Sequence, residues 1–260
     1  MTLIEIPTKF VDKARFVRGI FTDVENEYDV LVHLMTLSLD WVWRRRMFAR
    51  MVFSNETKVL DVACGTGLVT FNLARLNLPG GYVVGLDLSP SMLRIANRKK
   101  NAMRSRCEVD LVRAVGEFLP FRDGTFRYVT VGLALRNLGD KMAVFHEALR
   151  VLLQHGWFLS VDFVRPENVL VWRIFRFHIF YVIPALGGLV SAHWKYTLIY
   201  LANSVLKSTS ANEICEALST IGFQHTLTEK MTLGVVALVG GQKRQMASGN
   251  TRQTASKTIV

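Results

Sequence analysis

From Lys58 onward, short apolar runs rich in β-branched residues alternate with segments of helical spacing, and few architectures accommodate that order. The runs are KVLDVA at 58–63, YVVGLDL at 82–88, EVDLVRA at 108–114, FRYVTVG at 126–132 and WFLSVDFV at 157–164. Such a series belongs in a parallel sheet covered by helices on both faces. Helices are expected over 68–77, over 90–104 with Ser89 as cap and Pro90 in the first turn, and over 140–153 with Asp140 as cap. A helix over 210–221, closed by Gly222, leads to two more strands, FQHTLTEK at 223–230 and TLGVVALVG at 232–240. The expected fold is α/β with a mostly parallel seven-stranded sheet.

The flanks are different in texture. Residues 8–53 space their apolar positions near the helical period and are expected to form two or three short helices, an N-terminal cap. Residues 166–206 form a long aromatic and aliphatic insertion, whose longest stretch free of Lys, Arg, Asp and Glu is Phe177 to Trp194. Arg173 and Arg176 stand just before it, and a charge at a membrane helix centre costs about 2.5 to 3.5 kcal/mol, which disfavours a transmembrane span. A helical cap over an apolar pocket, or a helix pair touching a membrane surface, is expected instead. The tail 242–260 is polar and basic and is expected to be disordered, leaving one domain over 1–241.

Charge narrows the partners. The chain has 260 residues with 32 Lys plus Arg against 21 Asp plus Glu, a net charge of +11, while half of it is hydrophobic. A mean hydropathy of +0.23 excludes disorder and, with the basic excess, points to an anionic partner, membrane or nucleic acid. The run Arg44-Arg45-Arg46 reads either as a solvated helix end or as a basic patch for anionic lipid. Three cysteines without a Cys-x-x-Cys pair argue against a disulfide framework, and six histidines without metal spacing make a metal site unexpected. The opening MTLIEIPTKFVDKARF has no basic-then-apolar leader, so a cytoplasmic location is expected.

The first strand ends in Asp61-Val62-Ala63-Cys64-Gly65-Thr66-Gly67, and the second ends at Asp87. Two glycines let the backbone approach a ligand, and an acid at the end of the second strand suits a ribose diol. A dinucleotide fingerprint would need a glycine where Thr70 stands, and Asp61 would repel a pyrophosphate. The same carboxylate favours the ammonium and sulfonium of S-adenosylmethionine. Cys64 reads as a small packing residue, and Asp61 and Asp87 taken singly could each be a helix cap.

VLDVACGTG at 59–67, VVGLDLSPSML at 83–93, EFLPFRDGTF at 117–126, LRNLGDK at 135–141, IFTDVENEYDVLVHLMTLSLDWVWRR at 20–45 and GVVALVGGQK at 234–243 together resemble the C-methyltransferases of menaquinone and ubiquinone biosynthesis. The resemblance covers nearly all of residues 10–243 and implies a Rossmann-like class I methyltransferase that moves a methyl group from S-adenosylmethionine to a ring carbon of a prenylated quinol. On it, Thr66 and Asp87 match cofactor contacts, Val115 and Gly116 match the pair beside the adenine, and Gly132 matches a position ending the fourth strand. With Asp61, Gly65 and Gly67 of the loop, these are the expected cofactor residues. Tyr28, Arg136 and Asn137 match residues facing the reacting ring, where Arg136 and Asn137 would stabilise a phenolate.

The chain departs from that pattern. Val115 stands where the family usually has Asp or Asn, Gln154-His155 replaces Pro-Gly, Asp162 replaces a Glu, and Asn203 and Thr209 replace a Glu and a Pro. Expected partners are the prenylated quinol, an anionic membrane touched peripherally, and a second copy in a homodimer. Nucleic acid is not expected: no Asn/Asp-Pro-Pro-aromatic motif is present. The rival readings are a methyltransferase for another lipid such as a phospholipid amine, one for RNA, and a non-catalytic scaffold.

Overall fold

The computed structural model describes residues 7, 10–22, 24–76, 79–105 and 107–244. Its seven strands are β1 (Lys58–Val62), β2 (Tyr82–Asp87), β3 (Glu108–Arg113), β4 (Phe126–Gly132), β5 (Leu152–Phe163), β6 (Phe223–Met231) and β7 (Val236–Lys243). They lie in the order β3-β2-β1-β4-β5-β7-β6, parallel from β3 to β5, with β7 inserted antiparallel between β5 and β6. The order reverses between β1 and β4, and in open α/β sheets ligands bind beyond the carboxyl ends of the strands at such a point. Val59, Leu60 and Val62 are fully buried, as expected of a strand covered on both faces.

Helices connect the strands close to the expected bounds, two of them ending two residues earlier than the sequence spacing implies. They are α4 (Leu68–Leu76), α5 (Pro90–Ala102), α6 (Lys141–Val151) and α10 (Ala211–Ile221). Ser89 Oγ accepts from the Met92 amide, and Asp140 Oδ1 accepts from the Ala143 amide. Ser210 and Glu213 form a capping box, and Gly222 closes α10 at φ +115°. Strand β5 begins at Leu152, directly after α6, and β7 extends to Lys243, so the boundary expected at 242 falls inside a strand. Residues 245–260 of the expected tail lie outside the described residues.

One face of the sheet carries α6 and α10, and the other carries α4, α5 and both flanking segments. The N-terminal segment forms α1 (Phe10–Thr22), α2 (Tyr28–Thr36) and α3 (Asp40–Phe48). The insertion forms α7 (Val169–Phe177), a π-helical turn (His178–Val182), α8 (Ile183–Val190) and α9 (Ala192–Leu206). From Val169 to Val190 the helix is continuous, and it is the one stretch among the described residues long and apolar enough to cross a membrane. It lies along the domain: Ile179, Phe180, Ile183 and Gly187 are buried, and α8 packs on α9.

Candidate active site

At the carboxyl end of β1 the chain turns through Ala63, Gly65 and Gly67, with φ of +55°, +56° and +85°. A side chain at Gly67 would meet the Phe71 ring at 2.2 Å, so only glycine opens α4 there. Ala63 has a counterpart in Leu133, at φ +56° just past β4. Two non-glycine residues in left-handed conformation, each costing about 1 to 2 kcal/mol, flank the reversal point of the sheet. Gly65 donates its amide to Asp87 Oδ2 at 2.8 Å, and Ser89 donates to Oδ1 at 2.8 Å. These bonds lock the carboxylate at the end of β2 against the loop, while burial raises its pKa. Asp87 does not cap α5, because Ser89 does.

Asp61 is not a helix cap either. Buried mid-sheet, it accepts from the hydroxyls of Thr70 at 2.6 Å and Thr130 at 3.0 Å. Burial pushes its pKa up to about 7 against the pull of those two bonds, so the carboxyl ionises near neutrality and would do so more readily beside a cation. Burial also pushes the Cys64 thiol well up, which fits packing and not nucleophilic attack.

Gly65, Asp87 and Ser89 face a cavity of about 130 Å³ above the strand ends. Gly65, Asp87, Val115 and Gly116 line it from the sheet, Tyr28 and Phe21 from the N-terminal helices, and Asn137 from the turn after β4. An adjoining lobe is lined by Asp61, Thr66, Gly132 and Arg44, and the two share Tyr28, Ala63, Gly65 and Ala134. Gly116 and Gly132 keep the floor thin, since a Cβ would lie 2.7 Å from Val62 and 2.5 Å from Val69 respectively. The expected cofactor residues therefore come together, with Gly67 alone set back at the start of α4.

Of the residues expected to face a substrate ring, Tyr28 and Asn137 line the cavity and Arg136 does not. Arg136 is buried behind Asn137 in a 3-10 turn (Leu135–Asn137), ion-paired to Asp162, with Nη1 donating to the Leu133 carbonyl and Nε to Ser204 Oγ. Its guanidinium lies 5.2 Å from the Phe163 ring centre. Its charge still reaches the cavity: burial pushes the Tyr28 phenol up to about 12, and Arg136 opposes that shift.

Several residues that hold this arrangement escaped the sequence reading. Tyr200 of α9, fully buried, donates to Asn137 Oδ1 at 3.0 Å and packs edge-on against Phe21, which packs edge-on against Tyr28. The insertion thus backs the cavity through Tyr200 without lining it. Asp29 accepts from Thr66 and from Lys99, and Lys13 donates to the carbonyls of Arg136 and Leu138. Arg44 is 5% exposed and paired with Asp40, so only Arg45 and Arg46 of the basic run face solvent. None of these carries a local sequence signal except the Asp40/Arg44 spacing of one helical turn.

Residues 8–243 match the ubiE/COQ5 methyltransferase family. The chain belongs to that family. It is 32% identical over 235 residues to the ubiquinone/menaquinone biosynthesis C-methyltransferase UbiE of Geobacter sulfurreducens, covering 90% of this chain and 91% of the relative. It is 30% identical to the demethylmenaquinone methyltransferase of Lactiplantibacillus plantarum, covering 87% and 95%. Among solved structures, a SAM-dependent methyltransferase of Thermotoga maritima shares the fold, with a TM-score of 0.62 at 17% identity, covering 87% of this chain and 99% of that one. The ubiE/COQ5 member described here is accordingly a class I methyltransferase that uses S-adenosylmethionine. Its cleft fits that donor in its own chemistry. Asp87 offers a carboxylate for a diol, Asp61 a buried acid that ionises near neutrality, and Arg44 an Nε with no hydrogen-bond partner.

Proposed function

We propose that this enzyme methylates a ring carbon of a prenylated quinol at a membrane surface, as a peripheral cytoplasmic protein. The observation that carries the reading is the shared cavity: Tyr28 and Asn137 line the same space as Asp87 and Gly65, together with the apolar Val17 and Phe21. When bound, S-adenosylmethionine supplies an electrophilic methyl group on its sulfonium. Asp87 would hold the ribose hydroxyls, Thr66, Gly65 and Gly132 would border the amino-acid end, and Val115 and Gly116 the adenine. Gly67 would start the helix beneath.

A ring carbon becomes nucleophilic when the neighbouring hydroxyl loses its proton. Asn137, its Oδ1 occupied by Tyr200, has its amide nitrogen left to donate to that oxygen. The Arg136 charge behind it would pull the hydroxyl pKa down, as it opposes the burial-driven rise at Tyr28. Tyr28 would close the site from the N-terminal side and hold the ring in line.

The membrane reading draws on the solvent face of α7 and α8. Leu170, Ile174, Phe177, Tyr181 and Leu189 recur there at helical spacing and are all more than half exposed. Arg173 sits in the stripe, and Lys195 lies beside α8 at Gly188. An exposed apolar stripe with cations fits a helix lying in the headgroup region of anionic lipid. The test is incubation of the protein with labelled S-adenosylmethionine and lipid extract from quinone-deficient cells. Label in the quinone fraction supports the proposal; label in phospholipid headgroups instead would sink it.

A further inference from the structure

The lobe beside the glycine loop holds a cation that the functional reading has not used. Arg44 is buried on α3, and its Nη2 donates to Asp40 Oδ2, while Asp40 Oδ1 accepts from Thr36 and His33. Asp40 takes one end of the guanidinium, while the Arg44 Nε stays buried without a hydrogen-bond partner. A guanidinium has five N–H donors, and a buried one left unmade is costly unless a ligand completes it.

The lobe is polar at two poles. Arg44 lines it from α3 and Asp61 from β1, and Gly65 and Thr66 of the glycine loop line it as well. An α-amino acid group carries one ammonium and one carboxylate on the same carbon, and it matches a carboxylate and a guanidinium presented to one small space. The lobe also opens on the cavity that holds Asp87, so a nucleoside there would direct its amino-acid arm toward Arg44.

We infer that Arg44 binds the α-carboxylate of S-adenosylmethionine, completing from the N-terminal helices a site that the sheet alone leaves half built. This rests on the cleft being the donor site. Because α3 precedes the glycine loop in sequence and packs on β5 and β7, donor binding would fasten the N-terminal cap to the sheet.

Calorimetry on the full chain without acceptor compares S-adenosylmethionine with its decarboxylated analogue, which lacks only the carboxylate. The wild type is expected to prefer the intact molecule by about 10- to 100-fold, the size of a charge-assisted contact. Arg44→Met should abolish that preference by weakening the intact molecule alone, and Arg44→Lys should keep part of it. Removing Arg44 strands the Asp40 carboxylate, so Asp40→Asn/Arg44→Met, with both charges gone, is measured beside it. Equal affinity of the wild type for both molecules, or an equal loss of both in the variants, overturns the inference. Failure of the wild type to bind either molecule would instead remove the donor assignment of the cleft.

Discussion

Asp29 of α2 accepts a hydrogen bond from the Thr66 hydroxyl at 2.6 Å and is ion-paired to Lys99 of α5. One carboxylate therefore ties the helix that carries Tyr28 to the glycine loop and to the helix after β2. Asp29→Ala should raise the Kd for S-adenosylmethionine by about 3- to 10-fold, the loss of one or two partly exposed charged bonds. Thr66→Ala should give a similar loss, and the double variant should lose less than the sum, with a coupling of about 1 kcal/mol. Strict additivity in calorimetry would mean that the bond does not hold the cap.

Asp61 gives the donor site a pH dependence. Its pKa of about 7 in the free protein lies above its ordinary value of 3.8. A cationic ligand requires the ionised form, so binding should tighten as pH rises from about 6 to 7.5 and should release protons. Calorimetry in buffers of different ionisation heat measures that release, which Asp61→Asn should abolish along with most affinity.

The same carboxyl affects stability with the opposite sense. An unfolded Asp61 loses its proton near pH 4 while the folded one keeps it to about 7, so its contribution to stability falls as pH rises through that window. Asp61→Asn should therefore stabilise the ligand-free protein at pH 8 by about 1 to 3 kcal/mol, with the gain shrinking toward pH 4. Thermal melts across that range decide it, and a gain independent of pH would contradict the account.

Tyr200 donates to Asn137, and on the proposed reaction it would act through that residue. Tyr200→Phe keeps the ring contacts to Phe16 and Phe21 and removes only the hydroxyl. We expect kcat to drop about tenfold, with the donor Kd unchanged and the alkaline limb of the pH profile displaced. A rise in KM for the donor without a change in kcat would contradict the positioning role.

The exposed stripe offers a separate check. Ile174→Glu with Phe177→Glu should abolish sedimentation with vesicles containing anionic lipid and leave donor affinity intact. Wild-type binding should weaken as salt is raised, because part of the attraction is to headgroup charge.

The sheet was legible because its central strands are nearly continuous apolar runs, and Asp61 and Asp87 because acids end such runs only for a reason. The start of β5 was not: Gln154 and His155 are exposed at the bulge that shifts its register against β4, and polar residues there look like a loop. Arg44 was misread with its neighbours because a run of three arginines suggests a solvated patch, although Asp40 one turn earlier already neutralises the first of them. Tyr200 and Lys13 could not be read at all. Their partners lie 63 and 123 to 125 residues away, and only the packing of both flanks on one face of the sheet brings them together.

That separation has a consequence for the two ends of the cavity. Lys13 holds the carbonyls of Arg136 and Leu138 from the far end of the chain, so the turn carrying Asn137 is clamped only while α1 is docked. Undocking α1 would loosen that turn without breaking a bond of the sheet, so the geometry of one wall of the cavity depends on a helix more than a hundred residues away in sequence.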